Sequence, residues 1–141
     1  MKSATGEVIR VLLIEDNPGD ADLIVEMLES SEATKFEFHS VETLYDGSRR
    51  LAAKDIDVIL LDLGLPDSQG LTTLRRMRAM APELPIVVMT GWGDAEISPW
   101  AMEAGAQGYL IKGEMNERVL TRAILDAIQR YGKREGRSSE P

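Results

Sequence analysis

Short apolar runs alternate with segments of helical period along most of this chain. The runs from Val8 to Ile14 and from Asp57 to Leu61 are almost wholly aliphatic, which is typical of parallel strands buried on both faces. Further strands are predicted at 36–41, 85–89 and 107–111. The alternation indicates one α/β domain with three layers, in which helices cover both faces of a doubly wound, five-stranded parallel sheet.

The segments between these strands predict the helices and the ends of the domain. Asn17 is a typical N-cap, and Pro18 suits the first helical position of the first helix. We predict helices from there to about Ser30, and at 43–53, 70–80 and 116–131, with a loop over 65–68. The polar ends 1–6 and 132–141 are expected to be disordered, which leaves 7–131 as the folded domain.

Polar residues stand at the ends of four predicted strands. Glu15 and Asp16 follow the first strand and Asp62 follows the third, while Thr90 and Lys112 end the fourth and fifth. Ligands bind beyond the carboxyl ends of parallel strands, so these groups are expected to converge on one site. Carboxylates that lie close together repel one another and raise each other's pKa unless a cation or a proton neutralises them. Oxygen ligands favour Mg2+, which makes this a candidate phosphoryl-transfer site.

Composition limits the partners and the compartment. The chain has 24 acidic and 16 basic residues and a formal charge of -8, which argues against a nucleic-acid surface. Cysteine is absent, so thiol chemistry and a disulfide framework are excluded. No apolar stretch approaches the roughly 20 residues needed to span a bilayer. The N-terminus carries no hydrophobic signal region, and we therefore expect a cytoplasmic protein without a membrane partner.

Four segments resemble the receiver domains of two-component response regulators across nearly the whole chain. They are LLIEDNPGDADLI, VILLDLGLPDSQG, VVMTG and AQGYLIKGE, in the family's order and spacing. The resemblance implies a flavodoxin-like sheet with strand order 2-1-3-4-5. It also implies the following roles: Asp62 as phosphoacceptor, Glu15 and Asp16 as the pair that holds Mg2+, Thr90 as switch hydroxyl, Lys112 as site lysine and Tyr109 as switch aromatic.

The chemistry of these residue types agrees with those roles. A carboxylate such as Asp62 can attack phosphorus and form an aspartyl phosphate, while Lys112 and Mg2+ neutralise the phosphoryl oxygens and Thr90 donates a hydrogen bond. The backbone carbonyl of Gly64 is a further expected ligand of the ion. The chain is thus expected to catalyse only its own phosphorylation and dephosphorylation. The implied donor is a sensor histidine kinase or phosphotransfer protein, the downstream protein is unknown, and phosphorylation-dependent homodimerisation is left open.

Three departures from the family pattern change these expectations. Lys112 is followed by Gly113 where the family usually has proline. Pro99 falls where the middle of the fourth helix would lie, so we predict a short helix from Pro99 to about residue 104, capped by Ser98. Trp92 and Gly64 take the positions that flank the phosphoryl group. One hypothesis is that Trp92 shields the aspartyl phosphate from water, which faster dephosphorylation of Trp92→Ala would support; the alternative is that its indole packs on the loop or meets a partner.

Other interpretations of the chain stay open. Each polar strand end taken alone is more consistent with a turn, a cap or a solvated side chain than with a chemical role, and it is their joint placement that favours a site. Within the fold, the alternatives to a stand-alone receiver are a receiver cut from a hybrid kinase or longer regulator, and a pseudo-receiver that serves as a scaffold. A flavodoxin-like cofactor site is disfavoured because Glu15 and Asp16 would repel a phosphate. A haloacid dehalogenase-like phosphatase would need a carboxylate at position 64, which is glycine.

Overall fold

The computed structural model describes residues 8–91 and 98–139, and the side chains of 8–91 and 99–131. It contains seven strands and five α-helices in these ranges. The strands are β1 (Ile9–Ile14), β2 (Phe36–Val41), β3 (Val58–Asp62), β4 (Gly64–Leu65), β5 (Ser68–Gln69), β6 (Ile86–Thr90) and β7 (Gly108–Ile111). The helices are α1 (Pro18–Glu29), α2 (Leu44–Leu51), α3 (Leu71–Met80), α4 (Ser98–Glu103) and α5 (Glu117–Ser139), with a 3-10 helix at Lys112–Glu114.

Five strands form one parallel sheet in the order β2-β1-β3-β6-β7. This is the 2-1-3-4-5 order that the resemblance implied, because β4 and β5 lie outside the sheet. The register places Ile14 opposite Leu61, Asp62 opposite Met89 and Thr90 opposite Ile111. The carboxyl ends of β1, β3, β6 and β7 therefore meet at one edge of the sheet.

Two hydrophobic clusters separate the sheet from its two helical layers. Alternate strand residues point to opposite faces, so Leu12 and Ile14 belong to one cluster while Leu13 belongs to the other. The first cluster is completed by residues of α2, α3 and α4, and the second by residues of α1 and α5. Leu60 also lies on the α1 and α5 side. The same alternation assigns Glu15 and Asp62 to that side of the sheet.

The ends of the helices follow the local sequence. The Asn17 side chain accepts a hydrogen bond from the Asp20 backbone N–H at 2.9 Å, and Pro18 is the first residue of α1, as predicted. Thr43 caps α2 in the same way through Asp46 N–H. Gly70 precedes α3 with φ 70° and ψ -154°, a conformation that glycine adopts at little cost.

Arg78 holds the sheet edge opposite to the polar strand ends. Its guanidinium donates to the carbonyls of Ala81 and Leu84 at 3.0 and 2.7 Å, and to that of Gly105 at 2.8 Å. It also donates to the Gln107 side-chain oxygen at 2.7 Å, which in turn accepts from the backbone N–H at the start of β6. One side chain thus joins the C-terminus of α3 to the loops that lead into β6 and β7.

The structure corrects two sequence predictions about elements. The segment predicted as a loop over 65–68 is a tight antiparallel hairpin of β4 and β5, which two short strands around Pro66 and Asp67 can form without a long apolar run. Helix α5 continues through Ser139 instead of ending near Tyr131, because the residues after Gly132 include good helix formers and no proline before the final residue. The short α4 agrees with the prediction made from Pro99, although its range Ser98–Glu103 includes Ser98, which was predicted as the cap.

Candidate functional site

The four polar strand ends come together at the carboxyl edge of the sheet. Glu15 follows β1 directly and its backbone N–H donates to the β2 carbonyl of Val41 at 3.0 Å, which fixes its position. Asp62 is the last residue of β3, and Lys112 follows β7. Because these strands lie side by side in one sheet, residues that are 50 or more positions apart in the chain contact one another.

Three carboxylates form an acidic cluster, which consists of Glu15, Asp16 and Asp62. One carboxylate oxygen of each lies within 4.8 Å of the others. Glu15 is 1% exposed and Asp62 is 7% exposed, whereas Asp16 is partly exposed. The cluster that the sequence predicted from strand ends is therefore present, and most of its charge is withdrawn from water.

The Lys112 ammonium lies against this cluster. Its Nζ is 2.7 Å from Glu15 Oε1 and 3.0 Å from Asp62 Oδ2. A third carboxylate, Asp20, contacts it at 3.0 Å. The contacts with Asp62 and Asp20 are hydrogen bonds, whereas the contact with Glu15 is an ion pair that leaves Glu15 Oε1 without a hydrogen-bond donor.

The pKa values record the cost of this arrangement. Burial and the proximity of Asp62 raise the pKa of Glu15, and Lys112 together with the Asn17 N–H offsets part of the rise, which leaves this pKa at about 7. Burial alone would lower the pKa of Lys112, but its contacts with Glu15, Asp20 and Asp62 outweigh burial and raise it. Lys112 thus stays protonated, while one positive charge is insufficient to keep Glu15 an ordinary ionised acid.

Asp62 is held by both of its oxygens. Oδ1 accepts the Gly64 N–H at 3.0 Å, and Oδ2 accepts from Lys112. The hairpin that carries Gly64 is itself anchored, because Asp67 accepts the backbone N–H groups of Leu44 and Tyr45 at 2.9 and 3.0 Å at the start of α2. The Gly64 donor was not predicted. The expected contribution of the Gly64 carbonyl to a metal site stays a prediction.

Thr90 and Tyr109 are joined through their hydroxyl groups. The Thr90 hydroxyl donates to the Tyr109 phenolic oxygen at 3.3 Å. Thr90 is buried at the end of β6, and Tyr109 is half-buried on β7 opposite Val88. The two residues that the resemblance implied as a switch pair are thus in contact, while their switching roles stay predictions.

The structure also bears on two other site residues. Trp92, expected to flank the phosphoryl group, lies outside the described residues. Asp20 was missed by the sequence reasoning, although its place four residues after Asp16, in the first turn of α1, was a signal that could have found it.

The donor set fits a hard divalent cation. Glu15, Asp16 and Asp62 offer carboxylate oxygens only, which are the ligands that Mg2+ and Ca2+ prefer. The raised pKa of Glu15 indicates that the cluster needs further positive charge beyond that of Lys112. These three residues would hold such an ion.

A doubly wound parallel sheet with a lysine and a cation-binding acidic cluster at its carboxyl edge defines a class of phosphoacceptor signalling domains. Residues 11–124 match the family described as the response regulator receiver domain, and the chain belongs to this family, which acts in two-component signalling. No helix among the residues at 8–91 and 98–139 has the length and apolar character needed to cross a membrane.

Relatives and solved structures agree with this assignment. The chain is 32% identical over 125 residues to the probable transcriptional regulatory protein TcrX of Mycobacterium tuberculosis, covering 86% of this chain and 51% of that protein. A receiver domain protein of Clostridium thermocellum has a TM-score of 0.70 at 26% identity, covering 86% and 95% of the two chains. A CheY-like receiver of Methanospirillum hungatei has 0.73 at 25%, covering 91% and 99%. The chain spans about half the length of the curated relatives it matches.

Proposed function

We propose that Asp62 accepts a phosphoryl group from the phosphohistidine of a sensor histidine kinase or phosphotransfer protein, and that the modified chain binds a partner protein differently. The observation that supports this most is the convergence of Lys112 and two acidic residues on a single buried aspartate. A lone aspartate at a strand end would be a turn or cap. Asp62 instead has a cation partner and a potential metal site beside it.

The transfer step follows from the groups around Asp62. One carboxylate oxygen forms a bond to phosphorus while the P–N bond of the phosphohistidine breaks, and the imidazole keeps the electron pair and is free to take a proton. Oδ1 is held by the Gly64 N–H and Oδ2 by Lys112, so Asp62 has a fixed orientation. Bound Mg2+ would supply positive charge opposite the phosphoryl oxygens. Lys112 and the Thr90 hydroxyl are the donors available from this chain.

The output is proposed to begin at Thr90. Its hydroxyl now donates to Tyr109 at 3.3 Å, so a Thr90 that turns to a phosphoryl oxygen gives up this contact. Loss of this contact lets Tyr109 rotate into the vacated space, and the surface formed by α4, β7 and α5 changes in the phosphorylated state. The relevant partner is a protein that distinguishes these two surfaces.

The test combines covalent labelling with a structural readout. Wild type incubated with a phosphohistidine donor and Mg2+ should gain one phosphoryl group by intact mass, and D62N should gain none. D67N is the matched control, because Asp67 lies in the β4–β5 hairpin that follows Asp62 but accepts the first two N–H groups of α2. Beryllofluoride with Mg2+ should shift the amide resonances of Thr90 and Tyr109. Unchanged spectra and unlabelled wild type would instead favour a scaffold that does not turn over phosphate.

A further inference from the structure

Asp20 contacts the site lysine from outside the acidic cluster. Its Oδ2 is 3.0 Å from Lys112 Nζ, across 92 positions of the chain. The carboxylates that lie close enough together to share an ion among the described residues are Glu15, Asp16 and Asp62, and Asp20 is absent from that set. Asp20 is therefore placed to bind the ammonium rather than the cation.

The start of α1 explains why this carboxylate is available. An acidic residue at the third position of a helix commonly bonds back to the N–H of the capping residue. Here the Asn17 N–H donates to Glu15 Oε2 at 3.1 Å instead. The Asn17 side chain accepts the Asp20 backbone N–H, so α1 is capped without the Asp20 carboxylate. The positive end of the helix dipole favours an ionised side chain at this place.

Lys112 needs such a partner because its other contacts are shared with the metal site. Its four-carbon side chain has many rotamers, and its backbone continues into Gly113 within a short 3-10 helix. A divalent cation at the acidic cluster competes with the ammonium for Glu15 and Asp62. The contact with Asp20 does not compete with the cation and would persist when the cation is bound.

We propose that Asp20 is a positioning residue that holds the Lys112 ammonium beside Asp62 for phosphoryl transfer. This inference rests on the proposed function. When a phosphoryl group reaches Asp62, the N–H that now faces Asp62 Oδ2 serves a phosphoryl oxygen instead. Asp20 continues to accept a second N–H of Lys112, so the ammonium stays beside Asp62 and does not turn to solvent.

The kinetic test uses a small donor so that no kinase surface is involved. Acetyl phosphate transfers its phosphoryl group to Asp62 as its own P–O bond breaks and acetate leaves with the electron pair. With Mg2+ and saturating donor, D20N should be phosphorylated roughly three- to tenfold more slowly than wild type, because the lysine is less well oriented. D20E retains the carboxylate and should restore most of the rate. D22N removes the same charge from an exposed position of the same helix and should stay within about twofold of wild type.

A second readout separates positioning from an effect on the helix. The Lys112 ammonium resonance, assigned by its loss in K112R, should exchange slowly with water in wild type, D22N and D20E and rapidly in D20N. If D20N is phosphorylated slowly but its Lys112 ammonium still exchanges slowly with water, the positioning role is overturned while the proposed function stands. The same holds if the phosphorylation rate of D20N equals that of wild type. A wild type that acetyl phosphate and phosphohistidine donors both fail to label overturns the proposed function, and this inference with it.

Discussion

Glu15 provides a quantitative test of the charge balance at the site. Its side chain is buried, and its pKa is raised from the ordinary 4.5 to about 7. A carboxyl group with a higher pKa in the folded state binds more protons there than in the unfolded state, so it lowers the free energy of unfolding as the pH rises. Relative to a carboxyl group whose pKa does not change on folding, linkage predicts that Glu15 lowers the free energy of unfolding by about 1 kcal/mol at pH 5 and about 3 kcal/mol at pH 8.

The substitution Glu15→Gln keeps the shape of the protonated acid and removes its titration. Any fixed difference between glutamine and protonated glutamate is the same at both pH values. In the absence of divalent cations, the free energy of unfolding of E15Q minus that of wild type should therefore increase by about 2 kcal/mol from pH 5 to pH 8. Lys112 does not affect this window because its raised pKa lies above it, and the single histidine, His39, is common to both proteins.

The assay is urea denaturation of both proteins with EDTA at several pH values between 5 and 8. Glu26→Gln is the matched control, since Glu26 is an exposed residue of α1, and its difference from wild type should stay flat. Adding Mg2+ at pH 8 should stabilise wild type more than E15Q, because an ion at the cluster favours the ionised acid. If the free energies of unfolding of wild type and E15Q change with pH in the same way, the pKa of Glu15 is not raised in the folded state.

The remaining predictions concern packing, capping and the opposite sheet edge. Gly47→Ala should lower the free energy of unfolding, measured by urea denaturation, by about 1–3 kcal/mol, because a Cβ there would lie 2.6 Å from Ile14 Cδ1. Gly91→Ala should be near neutral, because its Cβ would meet no atom within 4 Å. Equal losses in the two variants would contradict this packing. Asp67→Ala should lower the free energy of unfolding by about 1 kcal/mol, because α2 loses the carboxylate that accepts its first N–H groups. An unchanged midpoint of urea unfolding would argue against a stabilising contact between Asp67 and α2. Arg78→Lys should lower the free energy of unfolding by about 2–4 kcal/mol, because several carbonyls lose their hydrogen-bond donor. A loss below about 1 kcal/mol would show that water replaces the guanidinium as donor.

Periodicity and strand-end chemistry were sufficient to predict the sheet and most of the site. Aliphatic runs predicted the central strands β1, β3 and β6, because a parallel strand buried on both faces is apolar, whereas the edge strand β2 (FEFHSV) has a weaker pattern. Glu15, Asp62 and Lys112 could be placed together because each stands at the carboxyl end of a strand of the same sheet. The alternation of faces in β1 and β3 then puts the two acids on the side of α1 and α5.

What the sequence did not predict depends on contacts between distant segments. The β4 and β5 hairpin has only two residues in each strand, too few for a periodic pattern, and it is held by bonds such as that from Asp67 to α2. Asp20 was missed because the hydrogen bond from the Asn17 N–H to Glu15, which leaves the Asp20 carboxylate available, is visible only in three dimensions. The length of α5 was underestimated because the polar residues 132–141 were expected to be disordered.

The charge balance differs between the two rims of the sheet, that is, the edge held by Arg78 and the edge that carries the acidic cluster. At its own rim, the Arg78 guanidinium, a permanent cation, donates to neutral oxygens from the two loops that lead into β6 and β7, and these bonds do not involve the site. At the other rim, acids outnumber the lysine that faces them. The domain can therefore tolerate an excess of negative charge where the proposed phosphoryl group and cation would bind, because the bonds at the far rim do not depend on that charge.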